Sequence, residues 1–418
     1  VDALRSNTIG EQNTAMGRES LRDNTIGIGN TANGSGALRF NTTGNANTST
    51  GVLSLENNIT GDNNTANGAQ ALNSNTDGSN NTAIGASALL SNTIGDGNTA
   101  VGVEALMSNT TGLENIAIGR EALRDNTTGE SNTAIGLGAL RVNTIGIANT
   151  AIGHEALRLG DDNNSNTAVG ANALTNNLTG DQNTAVGERA LFLNTSGEKN
   201  TAIGYLAGAN VGSDFNNRTA IGYDAQNTAS NQIRLGNILV TSIGGFASWS
   251  TLSDGRFKTK IKENVKGLDF IMKLRPVTYQ LDMNAMAKFL KTPDSLRSKH
   301  NESARAKVLQ TGFVAQEVEE SAKKAGIVFS GVDAPKNEND YYGLRYAEFV
   351  VPLVKAVQEQ QAVIEELQKI ITTQQNLMTN QEEINSQQRE MTVSQQAEID
   401  ELKSLVNKLL KRDLLANN

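Results

Sequence analysis

Residues 98–114 read Asn98-Thr99-Ala100-Val101-Gly102-Val103-Glu104-Ala105-Leu106-Met107-Ser108-Asn109-Thr110-Thr111-Gly112-Leu113-Glu114, and this 17-residue unit recurs through the first half of the chain. Its leading asparagine returns at 13, 30, 47, 64, 81, 98, 115, 132, 149, 166, 183 and 200, and glycine follows four residues later each time, from Gly17 to Gly204. A further copy, Thr219-Ala220-Ile221-Gly222, comes one residue late. The unit is too short for a helix-pair repeat, and its two glycines weaken any helix. Short alternating segments between Asn and Gly corners instead fit one coil of a parallel β-roll or β-helix, with glycine at the corners that need positive φ. Ala, Ile or Val, and Leu are then expected to stack into a narrow core, and the asparagines to form ladders that satisfy their own amides. At about 4.8 Å per coil, thirteen such units make a shaft roughly 60 Å long.

The shaft, residues 1–226, is poor in large side chains: its first 200 residues hold only two aromatics, Phe40 and Phe192. So thin a coil buries little per chain, and lateral association of identical chains is the expected remedy. The array opens in mid-unit at Ala3-Leu4 and Asn7-Thr8-Ile9-Gly10, so the natural N-terminus is expected upstream, with any targeting segment. No Gly-Lys-Ser/Thr follows a glycine-rich segment, and no aspartate recurs at calcium-repeat spacing. This unit resembles the head repeats of trimeric autotransporter adhesins, which carry an Asn-Ser/Thr-x-Ala-Ile-Gly core. The resemblance implies a trimeric parallel β-roll and says little about a ligand.

The rest of the chain differs. A net charge of −8 argues against a nucleic-acid partner, which would require clustered Lys and Arg. Absence of cysteine removes disulfides and thiolate metal sites, and the two histidines, His154 and His300, lie far apart, so no cofactor or metal is expected. No apolar run reaches the length of a membrane span. A β neck is expected over 227–252, with Ile233-Arg234-Leu235 and Ile238 to Ile243 as one or two strands closing the roll and Trp249 capping a core. At Leu252-Ser253-Asp254-Gly255-Arg256-Phe257-Lys258 the composition changes: every lysine except Lys199, and all four prolines, lie beyond it. Ser253 and Lys258 could meet across a turn as nucleophile and base, a lysine serving as base where burial favours its neutral form.

Three further segments accompany that pair in order: Leu268-Asp269-Phe270 through Pro276-Val277-Thr278-Tyr279, Gly312-Phe313-Val314-Ala315-Gln316-Glu317-Val318, and Tyr342-Gly343-Leu344-Arg345-Tyr346 through Pro352-Leu353. Together they resemble the endosialidase-type intramolecular chaperone domain of phage tailspikes and tail fibres. The resemblance implies a domain over 253–352 that assembles three chains and then releases itself. Its cut falls before the serine of Ser-Asp-x-Arg-x-Lys, which places the scissile bond at Leu252-Ser253, with Ser253 as nucleophile and Lys258 as base. N–H groups near Asp254 and Gly255 would be candidates for the oxyanion. Phe257 stands where the family usually has leucine. The polar stretch Asp282 to Gln310, with a short helix expected over Ala285 to Lys291 and His300 a solvated residue in it, reads as an inserted loop without a legible role.

From Leu353 a 3-4 spacing of Val357, Gln360, Ile364, Leu367, Ile371, Gln374 and Met378 continues to Ile399, Leu402, Val406 and Leu409. It predicts a coiled coil over 353–412, about nine heptads and on the order of 90 Å, with a short tail at 413–418. The fold class expected is therefore a mainly β, 17-residue-repeat shaft, then an α+β chaperone domain ending in a long trimeric coiled coil. The function expected is a homotrimeric fibre or adhesin, extracellular, on a cell surface or in a virion or injection-machine fibre. It would meet an unidentified host- or cell-surface receptor and cut only its own chain. The alternatives are an adhesin that keeps the domain as a permanent trimeric base and, more remotely, an ice-binding β-solenoid with threonine files.

Overall fold

The computed structural model describes residues 1–209, 214–247 and 249–416, the last four as helix backbone alone. Residues 417 and 418 of the expected tail lie outside the described residues. The chain forms two compact units, one comprising 1–250, 281–308 and 335–341, the other 251–280, 309–334 and 342–418.

The first unit is built on a β-solenoid of about thirteen turns. Three-residue strands run from β1 (Thr14–Met16) to β13 (Thr219–Ile221) and β14 (Ile233–Leu235) in one parallel sheet, each paired with the next in sequence. Register follows the repeat, with Thr14 opposite Thr31 and Ala15 opposite Ala32. The first glycine of each unit takes φ between 128° and 149° from Gly17 to Gly204. The second serves close approach instead: a Cβ on Gly112 would lie 2.4 Å from the carbonyl oxygen of Gly129. Positive φ also falls on the buried leucine of each coil, at 46° to 51° from Leu21 to Leu191. An L-residue there costs about 1–2 kcal/mol, and burying the leucine returns roughly 1.5–3 kcal/mol.

Two asparagine ladders run the length of the roll. The backbone N–H of Asn30 donates to Oδ1 of Asn13 at 2.9 Å, while its amide donates to the Gly44 carbonyl at 2.8 Å. In the second ladder the Asn41 amide donates to Oδ1 of Asn24 at 2.7 Å. One corner breaks this ladder. Gly160-Asp161-Asp162-Asn163 exchanges the usual glycine and asparagine, and the buried Oδ1 atoms of Asn143 and Asn163 are left without partners. Exchanging them back, as Gly160→Asn with Asn163→Gly, is expected to stabilise the roll by about 1–3 kcal/mol. The measurement is the denaturant midpoint; an unchanged or lower midpoint would show that the ladder has no need of continuity here.

The core differs from expectation in one respect. It consists of the strand alanine and the Ala-Leu pair of each coil, all fully buried from Ala32 to Ala190 except where serine substitutes. Ile and Val at the third strand position lie on the outer face: Ile84, Ile118, Ile152 and Ile203 are about 40% exposed. In a three-residue strand side chains alternate, so only the middle residue points inward. The outer face is thus a file of threonines beside a file that is aliphatic from Ile84 to Leu235.

The neck forms one strand, β14, and no second one over Ile238 to Ile243. Trp249 does not cap a core; it is 86% exposed, because no element packs over it. Within the inserted stretch the short helix expected over Ala285 to Lys291 forms as α2 (Met283–Phe289), a second helix that was not expected follows as α3 (Lys299–Ala306), and the stretch folds with the end of the roll, His300 lying exposed on α3.

The second unit packs α1 (Leu268–Ile271), α4 (Ala315–Lys324) and the start of α5 (Val350–Ala416) around Phe270, Val318, Ala322 and Phe349. Two short antiparallel pairs join it, β15 (Val277–Tyr279) with β16 (Gln310–Gly312), and β17 (Val332–Asp333) with β18 (Gly343–Leu344). The three motif segments meet here. Phe313 stacks on Phe349 at 5.4 Å, and Phe329 lies 4.9 Å from Phe270 and 4.8 Å from Phe349. Arg275 forks onto Glu317 at 2.5 and 3.0 Å. In all α5 runs 67 residues, consistent with a coiled coil, its seam residues Val357, Ile364, Leu367 and Ile371 all more than 40% exposed. Pro352 sits in its first turn, where no intrahelical N–H bond is lost.

Candidate functional site

Ser253 and Lys258 flank a single 3₁₀ turn, Gly255–Phe257. Asp254 caps it, its side chain accepting from the Arg256 N–H at 2.9 Å. The N–H groups of Phe257 and Lys258 donate back to the carbonyls of Asp254 and Gly255, both at 3.1 Å. This reversal brings Lys258 Nζ to 2.8 Å from Ser253 Oγ. Arg256 folds over the cap and forks onto the Asp254 carboxylate, with Nη2 2.6 Å from Oδ2. The guanidinium hydrogen bond holds the Asp254 carboxyl below the usual carboxylate range.

The sequence assigned roles to Ser253 and Lys258 but none to the side chains of Asp254 and Arg256. Their signal was present: an acidic residue capping a turn, with an arginine two positions on, is a local clamp. The clamp sets the spacing of the pair it separates. The N–H groups of Asp254 and Gly255 make no hydrogen bond within the described residues. A Cβ at Gly255 would meet nothing within 4 Å, so this glycine leaves open space over the turn.

The site lies in the open. Ser253 and Lys258 are exposed, and Leu252 is 77% and Phe257 68% exposed. No group of three or more metal-ligating side chains occurs among the described residues, and no described helix is long and apolar enough to cross a membrane.

Residues 253–327 match the family described as chaperone of endosialidase. The match begins at Ser253 itself and runs through the capped turn, α1, the β15–β16 pair and α4. A segment similar to the chaperone of endosialidase thus follows the 17-residue-repeat solenoid, and this similarity supports a trimerisation-chaperone role in a fibre-like protein. No curated protein matches the chain.

Proposed function

We propose that this chain is a homotrimeric fibre, borne on a virion or cell surface, whose chaperone domain aligns three copies and then cuts the Leu252-Ser253 bond. The observation that carries the cut is the 2.8 Å contact of Lys258 Nζ with Ser253 Oγ across a clamped turn at the first residue of the family match. In the reaction Ser253 Oγ attacks the Leu252 carbonyl carbon while Lys258, as the neutral amine, takes the hydroxyl proton. Collapse breaks the C–N bond, the proton passes to the departing Ser253 nitrogen, and Leu252 is left as an ester on Ser253 Oγ. Water hydrolyses that ester, giving a Leu252 carboxylate and a fragment that begins at Ser253.

A neutral lysine is favoured by burial, and in the single chain both side chains face solvent. Assembly is the step that would shield them, so cutting follows alignment instead of preceding it. Alignment is needed because a roll of near-identical coils regains nearly all its contacts after slipping by one unit. The seam of α5 offers a common starting point. Once the domain is gone the trimer has no route back to register, and its persistence becomes a matter of rate.

Denaturing electrophoresis of purified wild type beside Ser253→Ala and Lys258→Ala tests the reading. Two fragments in wild type and one band in each variant are expected. An intact wild-type band would overturn self-cleavage and favour a permanent trimeric base.

A further inference from the structure

Cutting at Leu252-Ser253 divides the sequence, yet it does not divide the first compact unit. Residues 281–308 and 335–341 lie beyond the cut and fold with the last coils of the roll, which lie before it. The contact is polar at its centre. Thr228 Oγ1 donates to the carboxylate of Asp340, and the Gln232 amide reaches the same oxygen at 3.4 Å. Asn337 returns a bond to the Thr228 carbonyl at 2.9 Å, while the Lys336 N–H holds the second Asp340 oxygen at 3.1 Å. Thr228, Gln232 and Asp340 are all at least nine-tenths buried.

Burial pushes the Asp340 carboxyl upward, but hydrogen bonds from Thr228, the N–H groups of Lys336 and Tyr341, and Gln232 outweigh it and hold the group below the ordinary carboxylate range. The interaction therefore involves an ionised acceptor, whose hydrogen bonds are the stronger kind. Around it, Arg234 lies over the Tyr341 ring at 5.2 Å, and Phe289 meets that ring edge-on at 6.3 Å. Met283 and Ala287 of α2 are buried, and Arg297 pairs with the buried Glu302 at 2.6 Å, so the element bearing these contacts is itself packed.

We infer that this clasp holds the C-terminal fragment on the end of the roll after the backbone is cut, so that scission and departure are separate events. The inference rests on the cleavage reading above for its biological setting, but its physical content does not. A severed peptide bond removes one covalent link and leaves in place the hydrogen-bond network centred on the buried Thr228, Gln232 and Asp340. Loss of the fragment then requires Asp340 and Thr228 to exchange each other for water.

The test avoids dependence on self-cleavage. A site-specific protease sequence is inserted between Gly244 and Gly245 of the full-length Ser253→Ala chain, and the nicked protein is passed over a gel-filtration column. The two pieces are expected to co-elute. Asp340→Ala on one side of the clasp, or Thr228→Val on the other, is expected to speed their separation at least tenfold, with circular dichroism of the un-nicked chain unchanged. Thr228→Val keeps the test decisive where Asp340→Ala fails to fold. Pieces that part at once in the parent chain would overturn the inference, as would pieces that stay together equally well in parent and variants. Neither result bears on whether Ser253 cuts.

Discussion

Ser253→Ala should leave the chain as a single full-length band, and Lys258→Ala should slow the cut by roughly 10²–10⁴-fold, the range for losing a general base. The two losses differ in kind. Without Oγ no ester forms at all, whereas without the amine the attack proceeds through water. Lys258→Arg is not expected to rescue, because a guanidinium reaches a similar distance but remains charged and takes no proton. Hydroxylamine added during maturation should intercept the ester, leaving the N-terminal fragment with a hydroxamate at Leu252. Mass spectrometry reads that change directly. A wild-type N-terminal fragment that ends elsewhere than Leu252, or cutting that persists in Ser253→Ala, would assign the scission to another protease.

Substituting aspartate for Ile364, Leu367 and Ile371 together is expected to turn the proposed trimer into a monomer, measured by sedimentation. These residues lie at successive 3-4 positions of α5 and are 41%, 52% and 52% exposed in the single chain, so no other element among the described residues covers them. Each contributes roughly 1.5–3 kcal/mol if buried in a bundle. Downstream the seam turns polar from Gln374 to Gln395, so little apolar surface remains nearby to compensate. The same variant should accumulate uncut, since assembly is the step proposed to shield the Ser253-Lys258 pair. Trimers that survive the triple substitution would place the assembly contact elsewhere, with the outer aliphatic file from Ile84 onward the next surface to alter.

The sequence legibly carried whatever depends on neighbours within a few residues or on the fixed period. Seventeen-residue spacing dictates that Thr14 pairs with Thr31 and that Asn41 reaches Asn24, because any other register would strand buried amides. Asp254 caps its own turn, so the approach of Lys258 to Ser253 needed no distant partner and was readable from six residues.

Tertiary structure decided two matters that local pattern left open. The facing of Ile84 and its successors depends on where a three-residue strand begins, and a shift of one residue exchanges inside and outside, so composition alone placed them wrongly in the core. The docking of residues 281–308 and 335–341 was invisible for a different reason. Asp340 and Thr228 meet across 112 residues, and a single carboxylate with a single hydroxyl carries no pattern until the fold has brought both out of water.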